Sequence, residues 1–116
     1  ELNVREHITL RNISKVEYNR RVEKGTGHYI YPDMMIDNRV IVECNGDFFH
    51  CNPDRFTAEY INPKTNMTAQ QTWDRDRKKV EIYHKRGYNV IVIWESEWRA
   101  DREKCINRIL NEIHKN

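Results

Sequence analysis

Apolar positions along the chain come in short blocks whose spacing switches between helical and alternating periods, and the switches mark the expected elements. Leu2, Glu6, Thr9, Leu10 and Ile13 recur at helical steps, so residues 1–13 are expected to form a helix, with Val4 and Ile8 on its other side. Residues 16–22 alternate loosely as a strand, and Lys24-Gly25-Thr26-Gly27 reads as a turn. Two more strands are expected over 28–36 and 39–45, joined through Asp37-Asn38. Residues 46–67 are irregular, punctuated by Asn52-Pro53 and Asn62-Pro63, and so long a loop in a small domain is expected to be functional or mobile. Thr68 is placed to cap a helix running to about Arg86, with Gly87 ending it. The apolar run from Asn89 to Trp94 predicts a strand buried on both faces. A last helix, about 101–114, sets Cys105, Ile109 and Ile113 on one stripe flanked by Ile106 and Leu110. The order α-β-β-β-α-β-α predicts an α/β fold with a mixed sheet flanked by helices.

The strands around Asp33 and Glu43 can pair in two ways. A two-residue turn at Asp37-Asn38 sets Asp33 opposite Val42 and leaves Glu43 among Met34 and Ile36. A three-residue connection over 37–39 sets Asp33 opposite Glu43. One face then carries Tyr31, Asp33, Met35, Ile41, Glu43 and Asn45. The other carries Ile30, Pro32, Met34, Ile36, Val40, Val42 and Cys44. A slip of one residue turns every side chain over, and only the second register separates core from carboxylates. Neighbouring carboxylates repel unless a cation lies between them, and hard oxygen donors on rigid strands suit Mg²⁺. On the helix expected after Thr68, Ala69, Trp73, Asp76, Val80 and Tyr83 recur at steps of four and three. Asp76 therefore lies on the core-facing stripe and needs a partner, for which His50 is a candidate. The plainer alternatives are an exposed Glu43 and a half-buried structural histidine.

Composition narrows the classes. The 116 residues suffice for one hydrophobic core and not for two. Although 33% of residues are charged, 20 Lys and Arg against 18 Asp and Glu leave a net charge of only +2. Distribution is more informative: Arg20, Arg21 and Lys24 form one basic cluster, and Arg75, Arg77, Lys78, Lys79, Lys85 and Arg86 another. These are either two solvated faces, as charge alone favours, or a phosphate-tracking surface if they flank a catalytic site. No apolar run approaches the roughly 20 residues of a membrane span, and no signal peptide is visible. Cys44, Cys51 and Cys105 read as free thiols of a cytoplasmic, intracellular protein, without the paired spacing of a zinc site.

The ordered set Tyr31-Pro32-Asp33, then Val40 through His50 (VIVECNGDFFH), then Trp73-Asp74-Arg75-Asp76-Arg77-Lys78-Lys79, then Gly87 through Glu95 (GYNVIVIWE) resembles the very-short-patch repair endonucleases. It is still more similar to the EDxHD homing endonucleases of the PD-(D/E)XK superfamily. The resemblance covers about residues 28–96. It implies a restriction-endonuclease-like fold, a single catalytic domain over 1–116, double-stranded DNA as partner, and Mg²⁺ or Mn²⁺ as cofactor. By the same resemblance Asp33 and Glu43 are metal ligands, joined by the carbonyl of Cys44. His50 is the general base and Asp76 the group that orients it. Glu6, with Glu1 as the alternative, is the glutamate that the family's N-terminal helix supplies. Arg75, Arg77, Lys78, Lys79 and Asn45 are then DNA-binding candidates.

Two departures stand out. Asn45 occupies the position of the superfamily's lysine. Where the repair enzymes hold a structural zinc with cysteines and histidines, this chain has Asp47, Cys51, Asn52 and Ser96, so no zinc is expected. That favours a homing or phage-borne nuclease over a mismatch- or structure-directed nicking enzyme, with a catalytically inactive DNA-binding module as the third reading. The abrupt opening of the chain suggests a piece of a longer protein with a separate DNA-recognition domain; monomer and dimer both stay open.

Overall fold

The computed structural model describes residues 15–18 and 20–115; the helix expected over 1–13, with Glu1 and Glu6, lies outside the described residues. The fold is α/β. A four-stranded mixed sheet has the order β1-β4-β5-β6, built from β1 (Val16–Glu17), β4 (Met34–Ile36), β5 (Val40–Asn45) and β6 (Asn89–Trp94). A separate hairpin pairs β2 (Val22–Gly25) with β3 (His28–Ile30). Three helices complete the described residues: α1 (Ala69–Lys85), α2 (Glu95–Ala100) and α3 (Arg102–Ile113). None of these helices is long and apolar enough to cross a membrane.

Strands β1, β4 and β5 run antiparallel, whereas β6 is parallel to β5, so the chain must cross between β5 and β6. The long loop and α1 make that crossing. The β4–β5 register pairs Met34 with Val42, Met35 with Ile41 and Ile36 with Val40, which continues to Asp33 opposite Glu43. The connection is the three-residue one, over 37–39. Asp37 and Asn38 both adopt the left-handed conformation, which these short polar residues tolerate better than most.

The register sorts the side chains. Met34, Ile36, Val40, Val42, Ile91 and Ile93 pack under Trp98 of α2 and Cys105, Ile106 and Ile109 of α3. Met35 and Ile41 face the other way and pack with Val22 and Tyr83 of α1. At the start of α1, the Thr68 hydroxyl accepts from the Gln71 N–H (3.1 Å) and the Gln71 side chain accepts from the Thr68 N–H (2.9 Å). At its end, Gly87 is left-handed, with Gly87 N–H on the His84 carbonyl and Tyr88 N–H on the Tyr83 carbonyl, both at 3.0 Å. The Arg39 guanidinium donates to the carbonyls of Glu112 and Ile113, the position where a cation best satisfies a helix C-terminus.

Three expectations are corrected. The single strand expected over 16–22 is two short strands in different sheets, because β1 pairs with β4 and β2 with β3. The strand expected over 28–36 is likewise broken after Ile30, where Pro32 contributes no backbone donor. Strand β6 is a terminal strand of the described sheet: Ile91 and Ile93 are buried, but Val90, Val92 and Trp94 are only half-covered by α1. Helix α2, which starts directly at the end of β6, lies where no helix was expected.

Candidate active site

The polar residues of the α1-side sheet face lie toward the C-terminal end of β5. Glu43 and Asn45 follow Ile41 at alternate positions, and both are buried, Glu43 at 6% exposure. Glu43 is a carboxylate set within a buried strand, so its charge requires partners. It has two on α1: the Tyr83 hydroxyl donates to Oε1 (2.9 Å), and the Lys79 ammonium lies 3.3 Å from Oε2. Burial pushes the Glu43 carboxyl above its ordinary value of 4.5. Lys79 opposes that most strongly, the Asp33 charge raises it further, and the Tyr83 hydrogen bond lowers it. Burial and then Glu43 raise the Tyr83 hydroxyl in turn, which keeps it a protonated donor.

Asp33 lies one pair beyond the β4–β5 ladder. Its Oδ2 accepts the backbone N–H of Cys44 at 2.7 Å, so the aspartate is oriented by the strand that carries Glu43. The same bond places the Cys44 backbone beside Asp33. Two carboxylates thus meet at one edge of the face, within electrostatic reach of each other. No three His, Cys, Asp or Glu side chains converge on one point among the described residues. Two neighbouring carboxylates are a donor set that suits Mg²⁺, which dehydrates reluctantly and is commonly bound through one or two carboxylates.

His50 is on the loop after β5. Its Nδ1 lies 2.8 Å from Asp76 Oδ2, and both side chains are about a quarter exposed. The Nε2 atom has no protein partner among the described residues, and the ring meets Trp94 edge-on with centroids 6.4 Å apart. The other Asp76 oxygen lies 3.5 Å from the Arg75 guanidinium. The loop carrying His50 is held firmly: the Trp73 indole N–H donates to the Cys51 carbonyl (2.6 Å) and the Asn62 amide to the Phe48 carbonyl (2.9 Å).

A cleft of about 350 Å³ lies between Glu43 of β5 and Asp76 of α1. Glu43, Asn45, Asp76 and Lys79 line it, with Trp73 and Trp94 among its apolar walls. Asp33 and His50 are not among the lining residues: each stands behind one, Asp33 beside the Glu43 strand and His50 on Asp76. Of the DNA-binding candidates, Arg75, Arg77 and Lys78 are exposed on α1. Lys79 is not on that outer surface: it turns inward to Glu43, because it stands three residues after Asp76 and four before Tyr83 on the same helical stripe. Asn45 is a buried cleft residue. The Tyr83 hydroxyl as a partner of Glu43 is not evident from the sequence, and Asp47, Cys51, Asn52 and Ser96 stand out there only as the positions where the repair enzymes hold a zinc.

Comparison of the chain with protein-family models, with curated proteins and with solved structures found no match.

Proposed function

We propose that this chain is the catalytic domain of a Mg²⁺-dependent DNA endonuclease with a restriction-endonuclease-like sheet, of the site-specific homing type. The observation that carries the reading is that Glu43, beside Asp33, and Asp76, bonded to His50, line one cleft. Asp33 and Glu43 are the residues to hold the ion. When bound, Mg²⁺ supplies a Lewis acid for a phosphoryl oxygen and lowers the pKa of a coordinated water. His50 takes the proton of the attacking water at Nε2, the nitrogen that Asp76 leaves available by accepting the Nδ1 hydrogen. Asp76 then stabilises the resulting imidazolium. Lys79 neutralises Glu43 in the ion-free protein, and with a cation sharing that charge its ammonium can address a phosphate oxygen of the cleft. Arg77, exposed and lining the cleft, and exposed Lys78 track the backbone by charge, without reading sequence.

The test is incubation with supercoiled plasmid in Mg²⁺ and in EDTA. Nicked or linear product in Mg²⁺ alone is expected. Plasmid that is bound but left intact would instead support an inactive DNA-binding module.

A further inference from the structure

The segment that carries His50 is closed at both ends by a polar ring of buried Asp47 and Asn52 with half-buried Ser96. Asp47 and Asn52 are 8% and 3% exposed. The Asn52 amide donates to Asp47 Oδ1 (2.9 Å), and the Ser96 hydroxyl donates to the same oxygen (3.2 Å). The Asn52 amide also lies 3.3 Å from Ser96 Oγ. Backbone bonds reinforce the ring: Asn52 N–H donates to the Asp47 carbonyl (2.8 Å), and Asp54 N–H to Asn52 Oδ1 (3.0 Å). The Arg55 guanidinium stands 3.7 Å from the other Asp47 oxygen. The ring therefore ties both ends of the 47–52 segment to the first turn of α2.

Inside the segment, Cys51 is a non-glycine residue at φ 52°, a conformation that persists only when its surroundings over-determine it. It directly follows His50. A buried carboxylate is costly unless hydrogen bonds compensate it, so a loop with no demand on its geometry would gain little from this arrangement. What the ring fixes is the origin of the His50 side chain relative to β6 and α2, while Asp76 on α1 holds the ring tip.

We infer that Asn52, acting with Asp47 and Ser96, is a positioning residue that keeps the His50 imidazole in a single tautomer on Asp76. This rests on the reading of His50 as the base of the proposed reaction, and the measurement is chosen so that the two can fail separately. The readout is the ¹⁵N–¹H spectrum of the His50 ring, which requires no activity. In the native chain one tautomer is expected, with Nδ1 protonated toward Asp76. In Asn52→Ala the ring signals should show a mixture of tautomers, and any cleavage should lose about 10- to 100-fold in kcat with KM for DNA little changed. Asn52→Asp, which sets two carboxylates against each other, should disturb the ring similarly. The exchanged pair Asp47→Asn with Asn52→Asp should restore it, because one carboxylate and one amide again face each other. If Asn52→Ala does not fold, Ser96→Ala removes a single hydroxyl of the ring and carries the same expectation more weakly. A folded Asn52→Ala or Ser96→Ala chain with native His50 signals would overturn the inference and leave the ring as a loop staple. So would an exchanged pair as disturbed as Asn52→Asp. A native chain that never cuts DNA would count against the nuclease and leave the spectral result standing.

Discussion

The two faces of the sheet differ in a way that neighbouring residues make plain. Val42 and Glu43 are consecutive on β5, and both are buried. Val42 joins a face that is apolar throughout, closed by Trp98, Ile106 and Ile109. Glu43 joins a face that starts apolar at Met35 and Ile41 and becomes charged toward the C-terminal end of β5, where Asp33, Lys79 and Tyr83 meet it. Hydrophobic burial alone explains the first face. The second keeps a carboxylate where an aliphatic side chain would pack at lower cost, which is what the proposed metal site would require.

The most severe way to break that contrast is to move a charge across the strand. Val42→Asp puts an unpaired carboxylate into the apolar face and should exceed the roughly 4–5 kcal/mol that marks the extreme of single substitutions. Circular dichroism should then report an unfolded chain, whereas a folded one would mean that the two faces are not distinct.

Next come the residues that act together on the charged face. His50→Ala should nearly eliminate cleavage and Asp76→Asn should reduce it substantially, with the fold kept in both. The double variant should be little worse than His50→Ala, since residues acting as a unit are non-additive. Fully multiplicative losses in a plasmid assay would separate them.

A subtler effect concerns Glu43 itself. Its carboxyl is raised above 4.5 chiefly by burial, so the folded state binds a proton that the unfolded state has already lost between 4.5 and the raised value. Ionised Glu43 thus destabilises the ion-free fold at neutral pH, and this penalty disappears as pH falls through the raised value toward 4.5. Glu43→Gln, which mimics the protonated form, should raise Tm by a few degrees in EDTA at pH 7. The gap should close on acidification, and cleavage should be lost. A variant less stable than the native chain at neutral pH would show that Lys79 and Tyr83 outweigh burial.

The smallest effect belongs to the exposed basic residues of α1. Replacing Arg77 and Lys78 together with Ala should weaken DNA binding alike for all sequences. The slope of log affinity against log salt should become shallower by about 0.9 for each phosphate that is no longer neutralised. An unchanged slope in a binding titration would remove both from the DNA-facing surface.

Much of the contrast is legible in the sequence. Alternation alone chooses the three-residue connection, because only that register gathers Met34, Ile36, Val40 and Val42 on one side. The pair Thr68 and Gln71 and the terminator Gly87 mark α1, since capping is local chemistry. The His50–Asp76 contact is anticipated from the helical stripe and the resemblance together. What escapes is non-local or masked by composition. Strands of two to four residues such as β1 and β2 are defined by their pairing partners, not by a period of their own. Lys79 vanishes into the run Arg77-Lys78-Lys79, although steps of three and four already link it to Asp76 and Tyr83. Ser96 meets Asp47 across 49 positions, beyond the reach of any sequence window.

The central claim is that the charged face is built to hold a divalent cation between Asp33 and Glu43. It is tested most directly by titrating the native chain and Asp33→Asn with Mn²⁺ at neutral pH and following free Mn²⁺ by electron paramagnetic resonance. Asp33→Asn removes one ligand charge without changing volume, and both proteins should be folded. The expected result is one Mn²⁺ bound per native chain, displaced by Mg²⁺, and loss of that binding in the variant. No binding by the native chain, or equal binding by the two, would contradict the claim.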